Sequence, residues 1–408
     1  MRLDSTVSGS SKRPLRAAVA ACIASLTVGL TALPAAAQFT PNETLVSPNP
    51  GLIDAEFSQS RAKIAWTDSK GNLWLGGVNR DTGAFEPASG KGQLIATGTV
   101  DRLNMFMWNG PEWISTASGE QIFYSYYLPG KLPIAVNTRM AIASEGPSGA
   151  WTSQTLSPES ARMSHIASKN PGDTNPHIKY LDPQQRQYWR NVNDPGSEQL
   201  LSFIPQSTKS WRFASGMRAL MYAAPVAGTQ QVFRYLLDTR ISEQLTFDSG
   251  AKDTDRTVPW VWQAPEFGGD FVLSTVVDGS ELRVYRQFAG TSQWTPIYSA
   301  FLPGGSTAGS PEWFTYNGKS YVYMVVYVSP YTFPTEIWIS NIDAADPLFR
   351  RITSDSFFRA RNDPEVFVTT RGPLIYYNRY DPSIDPAHPL CGDCSEGVYR
   401  ADPGLAGR

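Results

Sequence analysis

Seven positions, separated by 56, 53, 47, 54, 46 and 53 residues, carry side chains able to move protons or hold charge: Glu56, Glu112, His165, Arg212, Glu266, Glu312 and Glu365. Ionised carboxylates gathered in a confined space repel one another, so each needs a cationic partner, a bound metal ion or a proton retained above its usual pKa. Such a set suits general acid–base work. It also suits a hard cation such as Ca²⁺, which takes six to eight oxygen ligands. The plainer alternative is that each glutamate accepts hydrogen bonds from backbone or arginine on a neighbouring strand. Glu56, Glu112 and Asp363 fall to substrate binding. His165 and Arg212 offer a base and a cation for β-elimination beside a carboxylate, with Tyr222 or Tyr180 as acid. For an isolated histidine the competing reading is a satisfied packing residue.

Aromatic residues crowd the same elements: Trp108, Trp113, Trp260, Trp262 and Trp313. Packing between sheets accounts for most of them. The run "PWVWQAPEF", with Trp260 and Trp262 in a predicted loop, reads as a stacking platform for a ligand. Residues 38–408 contain no GxSxG elbow, HExxH pair, phosphate-binding glycine loop or Asp box, so serine hydrolase, zinc protease and nucleotide chemistry have no motif behind them.

The elements that position these residues repeat. "GPEWISTASGEQIFYSYY", "APEFGGDFVLSTVVDGSELRVYR", "SPEWFTYNGKSYVYMVVY" and "DPEVFVTTRGPLIYYNRY" share a Pro-Glu start, a turn and an aromatic-rich second strand, and "DAEFSQSRAKIAWTDS" is a degenerate first copy. A third strand follows in "NLWLGGVNRDTG", "QVFRYLLDT", "TEIWISNID" and "EGVYRADPG", and a fourth in "GQLIAT", "SEQLTFDS" and "FRRITSDS". Two further units, found by reading back from "EQLTF" and "EQLLSF", begin at "WRFAS" and "MSHIA". Four antiparallel strands per unit is a propeller blade. The expectation is therefore an all-β, seven-bladed β-propeller, with six or eight blades as the alternatives. The last unit lacks a fourth strand, and "ETLVSPNP" near the N-terminus supplies one, closing the ring and protecting sheet edges.

Residues 1–37 read as a signal peptide: Lys12, Arg13 and Arg16, an apolar run, then Ala35, Ala36 and Ala37. Residues 38–408 are expected to form a single propeller domain, secreted or periplasmic and monomeric. Removing the net +3 of the leader takes the formal charge from −2 to −5, which gives no reason to expect nucleic acid as a partner. No later stretch is long and apolar enough to suggest a membrane span. Cys391 and Cys394, in "PLCGDCSEG", are placed to form a local disulfide in an oxidising compartment.

Two stretches, "WQAPEFGGDFVLS" and "SPEWFTYNGKSYVYM", resemble the inner-strand motif of propeller glycosidases of the arabinanase and β-xylosidase type, and "RNDPEVFV" is similar to an Asp-Pro element of related furanose-cleaving enzymes. The likeness covers about 50 residues and matches motif positions at Glu266, Glu312, Asp363 and Glu365. It implies a glycoside hydrolase with one carboxyl as general acid and another as nucleophile or base, Glu266 and Glu312 being the leading pair and Glu365 or Asp363 tuning them. Seven blades are similar instead to the propeller polysaccharide lyases, which implies β-elimination on a uronate-containing glycan. A non-catalytic propeller binding a glycan or a protein is the third expectation.

Overall fold

The computed structural model describes residues 42–406 apart from 88–91, 100–109, 203–208, 249–255, 330–331 and 354–357. The leader at 1–37 and Trp108 lie outside the described residues. Within them, strands form seven antiparallel sheets in chain order, the seven-bladed β-propeller expected from the repeat. The innermost strands are Ile53–Ser58, Glu112–Thr116, Met163–Ala167, Lys209–Phe213, Arg256–Ala264, Thr307–Tyr316 and Ala360–Thr369, in blades 1 to 7. Blade 1 departs slightly from the pattern, because its outer edge is shared by two pieces, Phe85–Glu86 and Gln93–Thr97, that pair with different ends of Asn72–Val78.

Packing follows the ring. Each of seven main apolar clusters joins one blade to the next: Ala65, Leu73 and Leu75 meet Trp113 and Ile122 between blades 1 and 2. Trp262, Val272 and Val284 likewise meet Val322 and Met324 between blades 5 and 6. Leu52, Ile64 and Trp66 meet Phe367, Tyr376 and Val398 between blades 1 and 7, so the first and last blades are joined by the same kind of buried apolar contact as the others. The alternating β-branched and aromatic residues of the repeat supply both faces of every sheet.

The N-terminal strand Glu43–Ser47 completes blade 7 by pairing with Ser395–Ala401, Glu43 opposite Ala401. A buried ion pair fixes this joint. Arg361 Nε donates to Glu43 Oε1 at 2.7 Å, with the two side chains 2% and 1% exposed. The Tyr377 hydroxyl donates to the same carboxylate at 2.5 Å. Cys391 and Cys394 are joined by a disulfide in the loop before the last strand.

Candidate functional site

One residue of each inner strand faces the middle of the ring, and in six of the seven blades a β-bulge selects it. The register slips by one residue just before Glu56, Ile166, Arg212, Trp260, Glu312 and Glu365, which pair with Ala65, Lys179, Met221, Ser274, Tyr323 and Tyr376 of the second strands. Glu112, opposite Phe123, holds the same place in blade 2. Bulges leave one residue out of the ladder and re-aim its neighbour. Proline is tolerated there because no ladder hydrogen bond is lost, which accounts for Pro259, Pro311 and Pro364 immediately before their ring residues, while Pro111 stands just ahead of the first residue of its strand. Two residues ahead of the ring position, Asp54, Ser310 and Asp363 take left-handed backbone, with φ of 53°, 44° and 57°.

The ring is therefore Glu56, Glu112, Ile166, Arg212, Trp260, Glu312 and Glu365. Of the positions singled out from sequence, Glu56, Glu112, Arg212, Glu312 and Glu365 line one cavity of about 550 Å³, together with Asp54, Asp363 and Trp260. The cavity reaches toward the ends of the inner strands, where Gln59, Lys169, Ser215, Thr315 and Val368 recur three residues after their ring positions.

Two expected positions are corrected. Glu266 is not at the cavity. It sits in a short 3-10 turn, Pro265–Phe267, after the inner strand of blade 5, and accepts from Ser320 N and Ser320 Oγ at 2.8 Å each, tying blade 5 to blade 6. The blade 5 counterpart of Glu312 is Trp260. His165 falls in the bulge itself, so Ile166 takes the ring place, and His165 Nδ1 lies 3.1 Å from the ammonium of fully buried Lys179. Burial, then the charges of Lys179 and Arg212, hold the His165 imidazole well below its usual range. The tyrosines paired with it as acids are also engaged away from the cavity: the Tyr222 hydroxyl meets Ser242 Oγ at 2.7 Å, and Tyr180 donates to Glu198.

Trp262 is corrected as well. It is fully buried, stacks on Trp313 with centroids 4.9 Å apart, and donates to Ser320 Oγ at 3.0 Å, so it is packing. Trp260 does line the cavity. Its Nε1 donates to Pro311 O at 2.6 Å, and the Arg212 guanidinium lies over its ring at 5.1 Å.

Lys169, absent from the candidates drawn from sequence, reaches into the ring from blade 3. Its ammonium is 3.1 Å from Glu56 Oε2 and 3.7 Å from Glu112 Oε2. Burial opposes its charge, but the carboxyl groups of Glu56, Glu112, Glu365 and Glu312 hold it well above the usual lysine range. The glutamates are strained in the opposite sense. Burial first, then the charge of Glu56, push Glu112 up to about 8 against the pull of Lys169 and Arg212. Glu312 is pushed up to about 7 by burial, with Lys169 opposing and Glu56 adding to the rise. The Tyr323 hydroxyl donates to Glu312 Oε2 at 2.9 Å. Burial, then Glu312 and Glu56, place Glu365 well above the carboxylate range. Among the described residues no three His, Cys, Asp or Glu side chains form a group that could hold a metal ion. The positive charge between Glu56 and Glu112 is the lysine's, so the Ca²⁺ expectation finds no ligand set here.

No protein-family model matches the chain, and no curated protein matches it. Among solved structures, the β-propeller domain of Myceliophteria thermophila Cps50 (Swd1) aligns over 88% of this chain and 98% of its own, at 10% identity and a TM-score of 0.52. The Dos1 propeller aligns over 88% and 93%, at 9% identity and 0.50. A Penicillium chrysogenum α-L-arabinanase aligns over 40% of this chain and 55% of its own, at 13% identity and 0.31, and adds no argument about activity. At such identities the first two likenesses concern architecture alone: this chain is a β-propeller.

Proposed function

We propose that this chain is a secreted carbohydrate-active enzyme that hydrolyses a glycan at the central cavity. One observation carries the reading: a single cavity holds two carboxyl groups with different partners, Glu312, raised to about 7 and bonded to the Tyr323 hydroxyl, and Glu56, in an ion pair with Lys169. A protonated carboxyl facing a paired carboxylate supplies an acid and a base. Glu312 gives its proton to the glycosidic oxygen as the bond to the anomeric carbon breaks. Glu56 acts on the other side, either by attacking that carbon or by taking a proton from the attacking water. Trp260, Trp313 and Phe57 supply flat apolar surface for sugar rings, and Arg212 supplies donors for hydroxyl groups.

The elimination reading keeps Arg212 at the cavity but not its assigned base, because His165 is bonded to Lys179 and does not line the cavity. Incubation with neutral and uronate-containing polysaccharides tests the proposal. Release of reducing ends without new ultraviolet absorbance, abolished in Glu312→Gln while the melting temperature is kept, is the expected result. An unsaturated uronate product indicates elimination instead. No product from any glycan leaves a binding module and overturns the proposal.

A further inference from the structure

A second chemically distinctive pair lies outside the cavity. The loop at 381–394 joins Gly372–Tyr380 to Ser395–Ala401 in blade 7 and carries Cys391 and Cys394, bridged by a disulfide. None of its residues lines the cavity. The two sulfurs are placed differently. Cys391 is half-buried beside the exposed Gly392 and Asp393, whereas Cys394 is 1% exposed and packs with Ala360 and Tyr380. The Cys394 N–H donates to Cys391 Sγ at 3.0 Å. Cys394 Sγ lies 3.6 Å from His388 O, a carbonyl able to accept from a thiol at that position.

The bridge adds little to the hold on this loop, because closing a ring of four residues removes little chain entropy. Asp381 N already donates to Cys394 O at 2.8 Å and so joins the two ends of the loop. Within it, Asp381 and Asp385 fix turns by accepting from Ser383 N and Ala387 N, each at 3.0 Å. These bonds keep the two sulfurs side by side after reduction, and each reduced group has a partner in place. A thiolate on Cys391 has the Cys394 N–H, and a thiol on Cys394 has His388 O.

We infer that Cys391–Cys394 is a reversible thiol–disulfide exchange site, with Cys391 as the sulfur attacked by an incoming thiol. A thiolate bonds to Cys391 Sγ, the bond between the two protein sulfurs breaks, and Cys394 leaves with the electron pair and takes up a proton. A second thiolate attacks the incoming sulfur of this mixed disulfide and releases Cys391 as a thiolate. Two thiols are thereby oxidised to one disulfide while the protein pair is reduced.

Incubation of the folded, disulfide-bonded protein with millimolar reduced glutathione at neutral pH, followed by acid quenching, alkylation and counting of thiols by mass, tests this. The protein should gain two thiols and keep its melting temperature within about 3 °C. Cys394→Ser, which leaves Cys391, should form a mixed disulfide with oxidised glutathione about tenfold faster than Cys391→Ser, which leaves the buried Cys394. A bridge that opens only when denaturant unfolds the protein overturns the inference and makes the pair a brace. A larger fall in melting temperature on opening has the same meaning. Equal rates in the two variants overturn the assignment of Cys391 as the attacked sulfur.

Discussion

Replacing Glu112 by glutamine removes one of the mutually repelling carboxyls while keeping its shape and its hydrogen-bonding reach. The group is 8% exposed, and its pKa in the folded protein is about 8 against an ordinary value of 4.5. A displacement of that size corresponds to roughly 5 kcal/mol of preference for the protonated form, an upper limit on what ionisation can cost the folded state. The sign follows from proton binding. Between about pH 4.5 and 8 the folded protein holds a proton on Glu112 that the unfolded chain has released, so stability declines as pH rises through this window. Above it the folded state carries the full penalty. Glutamine imitates the protonated carboxyl, so Glu112→Gln and the parent should match within about 1 kcal/mol at pH 4 to 5. At pH 9 the variant should be more stable by several kcal/mol. Lys169 keeps its closer partner, Glu56, at 3.1 Å, which limits any loss from the substitution. Denaturant titrations at half-unit pH steps measure the difference. A gap that does not change with pH, or a variant less stable than the parent at pH 9, refutes the account of the ring as a set of repelling acids.

Glu43→Ala strips Arg361 of its buried partner and should lower stability by about 3 to 5 kcal/mol in the same titrations; a change under about 1 kcal/mol would show that the pair does not hold the joint. Glu266→Gln, despite altering the residue that sequence places foremost, should leave glycan cleavage and binding at parental levels. It should cost only about 1 kcal/mol of stability, because its carboxylate serves Ser320 and not the cavity. Loss of cleavage in that variant would return Glu266 to the site.

Much of this architecture is legible in the residues because each blade must bury two faces and turn three times, and the aromatic strands and Gly or Asn turns announce it. Glu112, Glu312 and Glu365 are found because a proline stands immediately before each, marking a strand start at Glu112 and a bulge at the other two. The same rule, applied to "VPWVW", identifies Trp260; "APEF" misleads because its Pro-Glu pair opens a turn. The spacing of the hairpin is the cue: Gly268 follows Glu266 by two residues, while Gly119, Gly318 and Gly372 follow their glutamates by six or seven. His165 is misplaced by one because a bulge inserts a residue that no repeat of letters reveals. Lys169 escapes notice for a different reason. It stands three places beyond its ring position, in a blade without the Pro-Glu mark, where the equivalent residues are Gln59, Thr315 and Val368. Only the folded geometry brings its long side chain to Glu56.

The strand Glu43–Ser47, hydrogen-bonded to Ser395–Ala401, ties together segments about 350 residues apart in the chain. Bringing such distant segments together costs roughly 5 kcal/mol of chain entropy when nothing between them is ordered, and far less once the intervening sheets have set their separation. The joint is therefore expected to form after the sheets between its two strands. A hydrogen-exchange experiment will find Glu43–Ser47 labelling ahead of the strands around the cavity. The central cavity draws acids from both the first and the last blade, Glu56 and Glu365, so its wall is complete only when the two ends of the chain are joined.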